Sequence, residues 1–119
     1  MIGLESKGFV LGPILALELG CKFTPMRKKG KLPGECFGAE YELEYGKDCM
    51  EIQKHVLSKG CRVIVIDDVI ATGGTLKVAE SLLKRFEGVE VLGSVVIFEI
   101  GFFNGKKGLN SDFLSLITI

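Results

Sequence analysis

An α/β fold with a mainly parallel sheet flanked by helices is what this sequence predicts, and three observations predict it. Residues 62–67 (RVIVID) hold a continuous aliphatic run that ends on an acid, the pattern of a strand covered on both faces. From 74 to 86, Leu76, Val78, Ala79, Leu82, Leu83 and Phe86 recur at spacings of three and four, the spacing of an amphipathic helix. Strand-like and helix-like stretches also alternate along the chain, which points to strand–helix–strand units. A chain of 119 residues has room for one core, so residues 1–119 are read as a single domain.

Taken in order, residues 2–5 read as the end of a strand. Residues 9–19 (FVLGPILALEL) are apolar nearly all round, and Gly20 stands where a C-cap glycine belongs. A buried helix is expected there, with Gly12 and Pro13 near its first turn, where proline is tolerated. Residues 22–27 (KFTPMR) form a short strand in which Pro25 implies an edge or a bend. The stretch KKGKLPGE at 28–35 is charged, rich in glycine and proline and has nothing to bury, which predicts a mobile loop. Residues 36–45 alternate around Phe37, Ala39, Tyr41, Leu43 and Tyr45, the period of a half-buried strand. Residues 50–57 fit no template, and Lys59-Gly60 is a turn. Beyond the 74–86 helix come a strand at 89–100, a turn at Asn104-Gly105 and a last strand at 113–119.

Composition narrows the function. Fifteen basic residues face fifteen acidic ones, and a nucleic-acid binder usually has a basic excess. No apolar run approaches the roughly 20 residues that cross a bilayer, so no membrane partner is expected. Met1 leads into Ile2-Gly3-Leu4-Glu5 without a basic region or cleavage site, so no signal peptide is expected. Cys21, Cys36, Cys49 and Cys61 are widely spaced and His55 is the single histidine. That argues against a thiolate or multi-histidine metal site and for a reduced, cytoplasmic chain.

The stretch VIVIDDVIATGGTL at 63–76 carries the chemistry. Ligands of parallel sheets bind beyond the carboxyl ends of strands, and Asp67 and Asp68 stand at such an end. Ala71, Thr72, Gly73, Gly74 and Thr75 then lead into a helix. Glycines let backbone N–H groups converge, the helix N-terminus adds partial positive charge, and the threonines add hydroxyl donors, which together make a phosphate cradle. It lacks the lysine of a nucleoside-triphosphate loop and the GxGxxG of a dinucleotide site, so a monophosphate fits better. A ribose 5-phosphate reconciles acids with phosphate, because its 2′- and 3′-hydroxyls can donate to Asp67 and Asp68. A strand-ending turn with solvated aspartates is the plainer alternative.

This stretch resembles the 5-phosphoribosyl 1-diphosphate (PRPP) motif of type I phosphoribosyltransferases. GLESKGF at 3–9, RKKGKLPGE at 27–35, YELEYGK at 41–47, MEIQKH at 50–55 and the ATGGT loop extend the resemblance to the adenine phosphoribosyltransferases over nearly the whole chain. Ala71 stands where the hypoxanthine-guanine branch has an aspartate. The resemblance implies a Rossmann-like core with residues 28–46 as a flexible active-site loop and hairpin. It implies transfer of the phosphoribosyl group of PRPP to adenine, giving AMP and pyrophosphate in purine salvage, with Mg2+ as cofactor and a homodimer as the assembly.

Residue by residue, the resemblance gives the pyrophosphate to Ser6, Lys7, Arg27, Lys28 and Lys31. Lys7 replaces the family's arginine, which costs the bidentate fork and predicts weaker diphosphate binding. Glu44 and Tyr45 match the catalytic loop residues, Glu44 as a proton carrier at the purine. Phe103 is the candidate adenine contact. No metal ligand is expected to act directly. Without the family, these side chains also read as solvated loop charges, a polar strand face and a core aromatic. Family members carry a segment before GLES, so an N-terminally truncated chain is expected. Two other readings stand beside the enzyme: a non-catalytic PRPP- or nucleotide-binding regulator, and an inactive truncated isoform.

Overall fold

The computed structural model describes every residue of the chain except Glu44. The strands are β1 (Ile2–Leu4), β2 (Thr24–Lys28), β3 (Cys36–Leu43), β4 (Gly46–Gln53), β5 (Arg62–Ile66), β6 (Val69–Ile70), β7 (Glu90–Glu99) and β8 (Asp112–Thr118). The helices are α1 (Gly8–Leu19) and α2 (Gly74–Leu83), and two 3-10 turns, Gly101–Phe103 and Gly105–Gly108, join β7 to β8. They build one mixed sheet in the order β3-β4-β2-β1-β5-β7, with β6 and β8 also paired to β7. Every pairing among β1, β2, β5, β6, β7 and β8 is parallel, and the β3–β4 hairpin joins β2 antiparallel. The expected mainly parallel α/β sheet is therefore present.

The two faces of the sheet are closed differently. On one face Ile2, Leu4, Met26, Val63, Val65 and Val96 pack with Leu76, Ala79, Leu82 and Leu83 of α2 in one buried cluster. The β3–β4 hairpin folds against the same helix and the turn that follows it: the Phe37 ring meets Phe86 edge-on at 5.0 Å, and Arg85 lies 4.7 Å over Phe37. On the other face the residues that α1 buries are Gly8, Gly12 and Ala16. A Cβ on Gly8 would meet the Ile66 carbonyl at 2.6 Å, and one on Gly12 would strike the Phe23 ring. These glycines are what let a helix descend onto β1 and β5.

Several expectations change here. α1 begins one residue early and ends at Leu19 with Gly20 in the left-handed region at φ 67°, but it is not a buried helix. Val10, Ile14, Leu17 and Leu19 are exposed, Leu17 to 83 %, because the residues facing the sheet are the small ones. Pro13 stands in the second turn, inside the helix, where it removes a hydrogen bond to the Phe9 carbonyl. Pro25 meets its edge requirement locally. Thr24 donates to Met1 and Glu5 donates to the Met26 carbonyl, so Pro25 faces away from β1, and β4 pairs only from Arg27 onward.

The 28–35 segment does not hang free. Lys29 donates to the Cys49 carbonyl at 2.9 Å, Gly30 to Glu51 Oε1 at 2.8 Å, and the Gln53 amide to the Pro33 carbonyl at 2.9 Å. β4 takes up half of the unassigned 50–57 stretch, and two-residue β6 was too short to show a period.

The α1 contact gives a direct test. Gly12→Val should destabilise the chain by roughly 1–3 kcal/mol through overpacking against Phe23, measured by urea unfolding. An unchanged midpoint would mean that α1 does not dock through its glycines.

Candidate functional site

The site is built by strand ends that finish level. Gly3 pairs with Ile66 and Leu4 with Met26, so the residues that follow, Glu5–Lys7, Arg27 and Asp67, leave neighbouring strands at the same rim. β6 pairs with Phe98 and Glu99, so Ala71 departs from that rim as well. β7 fastens the acid pair from the side. Asp67 N–H donates to the Val95 carbonyl at 3.1 Å, and the Asp68 carbonyl accepts from Ile97 and Phe98 at 3.0 and 2.9 Å.

Ala71 to Thr75 form the wall of a cavity of about 190 Å³ that also touches Asp67 and Leu76. Drug-sized ligands need roughly 300–1,000 Å³, so this hollow suits a small anion. Gly73 takes φ 86° at the N-cap of α2, and no side chain caps the helix. The first intrahelical bond at this end runs from Lys77 to the Gly73 carbonyl at 3.0 Å. The N–H groups of the first turn are thus the unpaired donors that an anion at a helix N-terminus uses. A residue read only as a turn completes the cradle: Gly105 packs under it. A Cβ on Gly73 would lie 2.5 Å from the Gly105 carbonyl, and one on Gly105 would strike the Ala71 carbonyl. Only an NG pair in the sequence hinted at this floor.

Burial, helped by the neighbouring Asp68 carboxyl and opposed by the Asp68 N–H, raises the Asp67 carboxyl to about 7; that N–H donates to Asp67 Oδ1 at 2.9 Å. The pair therefore keeps a proton close to neutral pH, which lessens its repulsion of a phosphate.

Beside it lies a cationic cluster. Arg27 Nε donates to Glu5 Oε1 at 3.1 Å and Lys31 Nζ to Glu5 Oε2 at 2.8 Å. Partial burial pushes the Glu5 carboxyl up, but Lys31, the Lys28 N–H and Arg27 outweigh it and hold the group below its ordinary value. Glu5 was not among the residues singled out in the sequence, although an acid closing a strand at this rim, as Asp67 does, was a readable signal.

Of the expected pyrophosphate residues, Ser6 and Lys7 are exposed at the start of α1, and Arg27 and Lys31 converge on Glu5. Lys28 turns away and pairs with Asp48 at 3.2 Å, which raises the lysine. Tyr45 is 97 % exposed in the hairpin turn. Glu44 lies outside the described residues. Phe103, 49 % exposed, follows β7 two residues before Gly105 and stacks edge-on with Phe102 at 5.4 Å. Among the described residues no group of three or more histidine, cysteine or acidic side chains could hold a metal.

The family model of the phosphoribosyl transferase domain covers residues 1–114. Adenine phosphoribosyltransferase 1 of Saccharomyces cerevisiae is 48% identical over 117 residues, 98% of this chain and 62% of its own length. The chain thus spans less than two thirds of that relative. The crystal structure of the Saccharomyces cerevisiae enzyme with adenine and an imino-altritol bisphosphate superimposes with a TM-score of 0.94, covering 97% of this chain and 65% of that one. The Trypanosoma brucei adenine phosphoribosyl transferase, in complex with AMP, pyrophosphate and ribose-5-phosphate, gives a TM-score of 0.90 at 32% identity, covering 98% of this chain and 54% of that one.

The raised Asp67 has a consequence for stability. The folded chain holds this proton more tightly than the unfolded one, so the group's contribution falls as pH rises from about 4 towards 7. Asp67→Asn should therefore raise the unfolding free energy at pH 8 by on the order of 2–4 kcal/mol, seen as a higher thermal midpoint, and do little at pH 4. An equal gain at both pH values would show that the carboxyl is not raised by burial.

Proposed function

The chain belongs to the phosphoribosyl transferase domain family, and we propose that it acts as an adenine phosphoribosyltransferase, making AMP and pyrophosphate from adenine and PRPP. The observation that carries this reading is an acid pair set beside an uncapped helix N-terminus with a glycine-lined floor. The 5′-phosphate accepts hydrogen bonds from the backbone N–H groups at the start of α2 and from the Thr72 and Thr75 hydroxyls. The ribose hydroxyls donate to Asp67 and Asp68, and a carboxyl raised by burial gains most from such donors when it ionises.

The diphosphate then falls on the neighbouring strand ends. Breaking the bond from the ribose C1 to the leaving oxygen builds negative charge on the diphosphate, and Lys7, Arg27, Lys31 and the Ser6 hydroxyl stabilise it. Lys28 joins them by leaving Asp48, an exchange between a half-exposed and a partly buried group that costs little. Glu44 takes or holds the purine proton as the new bond forms, and Tyr45 closes over the site with the β3–β4 hairpin, excluding water. Phe103 offers a ring face to adenine. Mg2+ supplies charge neutralisation at the diphosphate and ribose oxygens. Asp67 and Asp68 are the residues that would hold it, through its water shell, since a pair of carboxyl groups suits an ion that keeps most of its hydration. Four free cysteines favour a reducing compartment, and the cytoplasm is the place of action we assign.

Two measurements test this. AMP formation from adenine and PRPP with Mg2+ should proceed and should fall by more than about a hundredfold in Asp67→Asn, Asp68→Asn. PRPP binding without turnover would instead favour the regulator. The exposed apolar side of α1, with Leu114 and Leu116 of β8, supports a homodimer. Sedimentation should show a dimer at micromolar concentration, and a monodisperse monomer would remove that part of the proposal.

A further inference from the structure

Glu5 closes β1 at the rim, and the transfer reaction as described assigns it nothing. Its side chain is only 10% exposed, yet it is anionic next to the proposed seat of an anion. It is saturated by donors. Oε1 accepts from Arg27 Nε and from the Lys28 backbone N–H, both at 3.1 Å, and Oε2 accepts from Lys31 Nζ at 2.8 Å. Arg27 comes from the end of β2, whereas Lys31 comes from the following loop, so the two cations share no element. Without a carboxylate between them they would repel each other and drift apart in solvent.

The orientation is specific. Arg27 spends its Nε on Glu5, and its guanidinium lies 5.7 Å over the Phe9 ring. With one edge anchored and one face on an aromatic ring, the Nη edge is left to receive a phosphate oxygen. Two cations and one N–H against one carboxylate leave the cluster net positive, so Glu5 organises the charge without cancelling it.

We infer that Glu5 is a positioning residue for the diphosphate, holding Arg27 and Lys31 as one unit beside the Ser6–Lys7 turn. The inference rests on the transferase reading above and adds to it the residue that arranges the leaving-group site. The anion takes the Arg27 Nη edge and shares Lys31 Nζ with the carboxylate. Lys28, which gives Glu5 only its backbone N–H and pairs its Nζ with Asp48, is not oriented by Glu5 and reaches the diphosphate only by leaving Asp48.

Glu5→Gln keeps the shape but replaces one acceptor oxygen with an NH2 donor and removes the charge. Calorimetry on the whole chain with inorganic pyrophosphate and Mg2+, and separately with ribose 5-phosphate, reads the two halves of the site. Pyrophosphate affinity should fall about tenfold, while ribose 5-phosphate affinity stays within about twofold. Glu5→Asp, which keeps the charge, should recover part of the loss. Unchanged or tighter pyrophosphate binding in Glu5→Gln overturns the inference. An equal loss for both ligands does so too, since it marks general damage to the fold. A wild-type chain that binds ribose 5-phosphate but not pyrophosphate overturns it while leaving the cradle standing. One that binds neither removes the transferase reading and Glu5's role together.

Discussion

The rim of this molecule depends on a three-residue strand. β1 is fully buried and is laddered in parallel to β2 on one side and β5 on the other. Its register decides which residues of three separate segments emerge side by side. Gly3 at its centre lies under α1, where a Cβ would come within 2.6 Å of Phe23 and 2.8 Å of the Gly8 carbonyl. Because no side chain stands there, the helix sits down on the strand and the Ser6–Lys7 turn stays next to the acids of β5. A larger residue would lift the helix and pull the cationic and acidic halves of the rim apart.

Those halves are held by different physics. Asp67 is kept by backbone hydrogen bonds in a place that disfavours its charge, so the fold gives up stability there in exchange for a poised acceptor. Glu5 is the reverse, a carboxylate favoured in its charged form by surrounding donors. Its ion pairs involve half-exposed cations, and pairs of that kind contribute little to folding. Their consequence is geometric: a guanidinium edge and an ammonium held where a diphosphate would be met. The cradle at 71–75 adds neutral N–H donors, which bind an anion without needing a counter-charge of their own.

The unequal faces of the sheet set the boundary of what this chain does alone. The α2 face is sealed by helix and hairpin, which fixes the cradle because α2 begins at it. The α1 face leaves Ile14, Leu15, Val95, Ile97 and Leu116 around an apolar hollow of about 220 Å³. A surface of this kind gains free energy whenever something covers it.

How much of this was legible in the sequence follows from the range of each interaction. The strands at 62–66 and 90–99, the helix beginning at Gly74 and the phosphate cradle all arise from neighbours in the chain, where hydrophobic period and glycine chemistry act over a few residues. They could be read directly. α1 was found as a helix but misjudged as buried, since hydropathy reports what a side chain prefers and not whether another element arrives to cover it. Gly105 beneath Gly73, Lys28 on Asp48, and Glu5 between Arg27 and Lys31 are separated by 20 or more residues. No local pattern encodes such pairs, because they exist only once the sheet has brought distant strands into register. The sequence by itself determined the main strands and helices and the glycine-rich loop on which the proposed phosphate site rests, through local propensity and motif. The tertiary structure alone decided which charges face each other at the rim, because that depends on strand order and register rather than on distance along the chain.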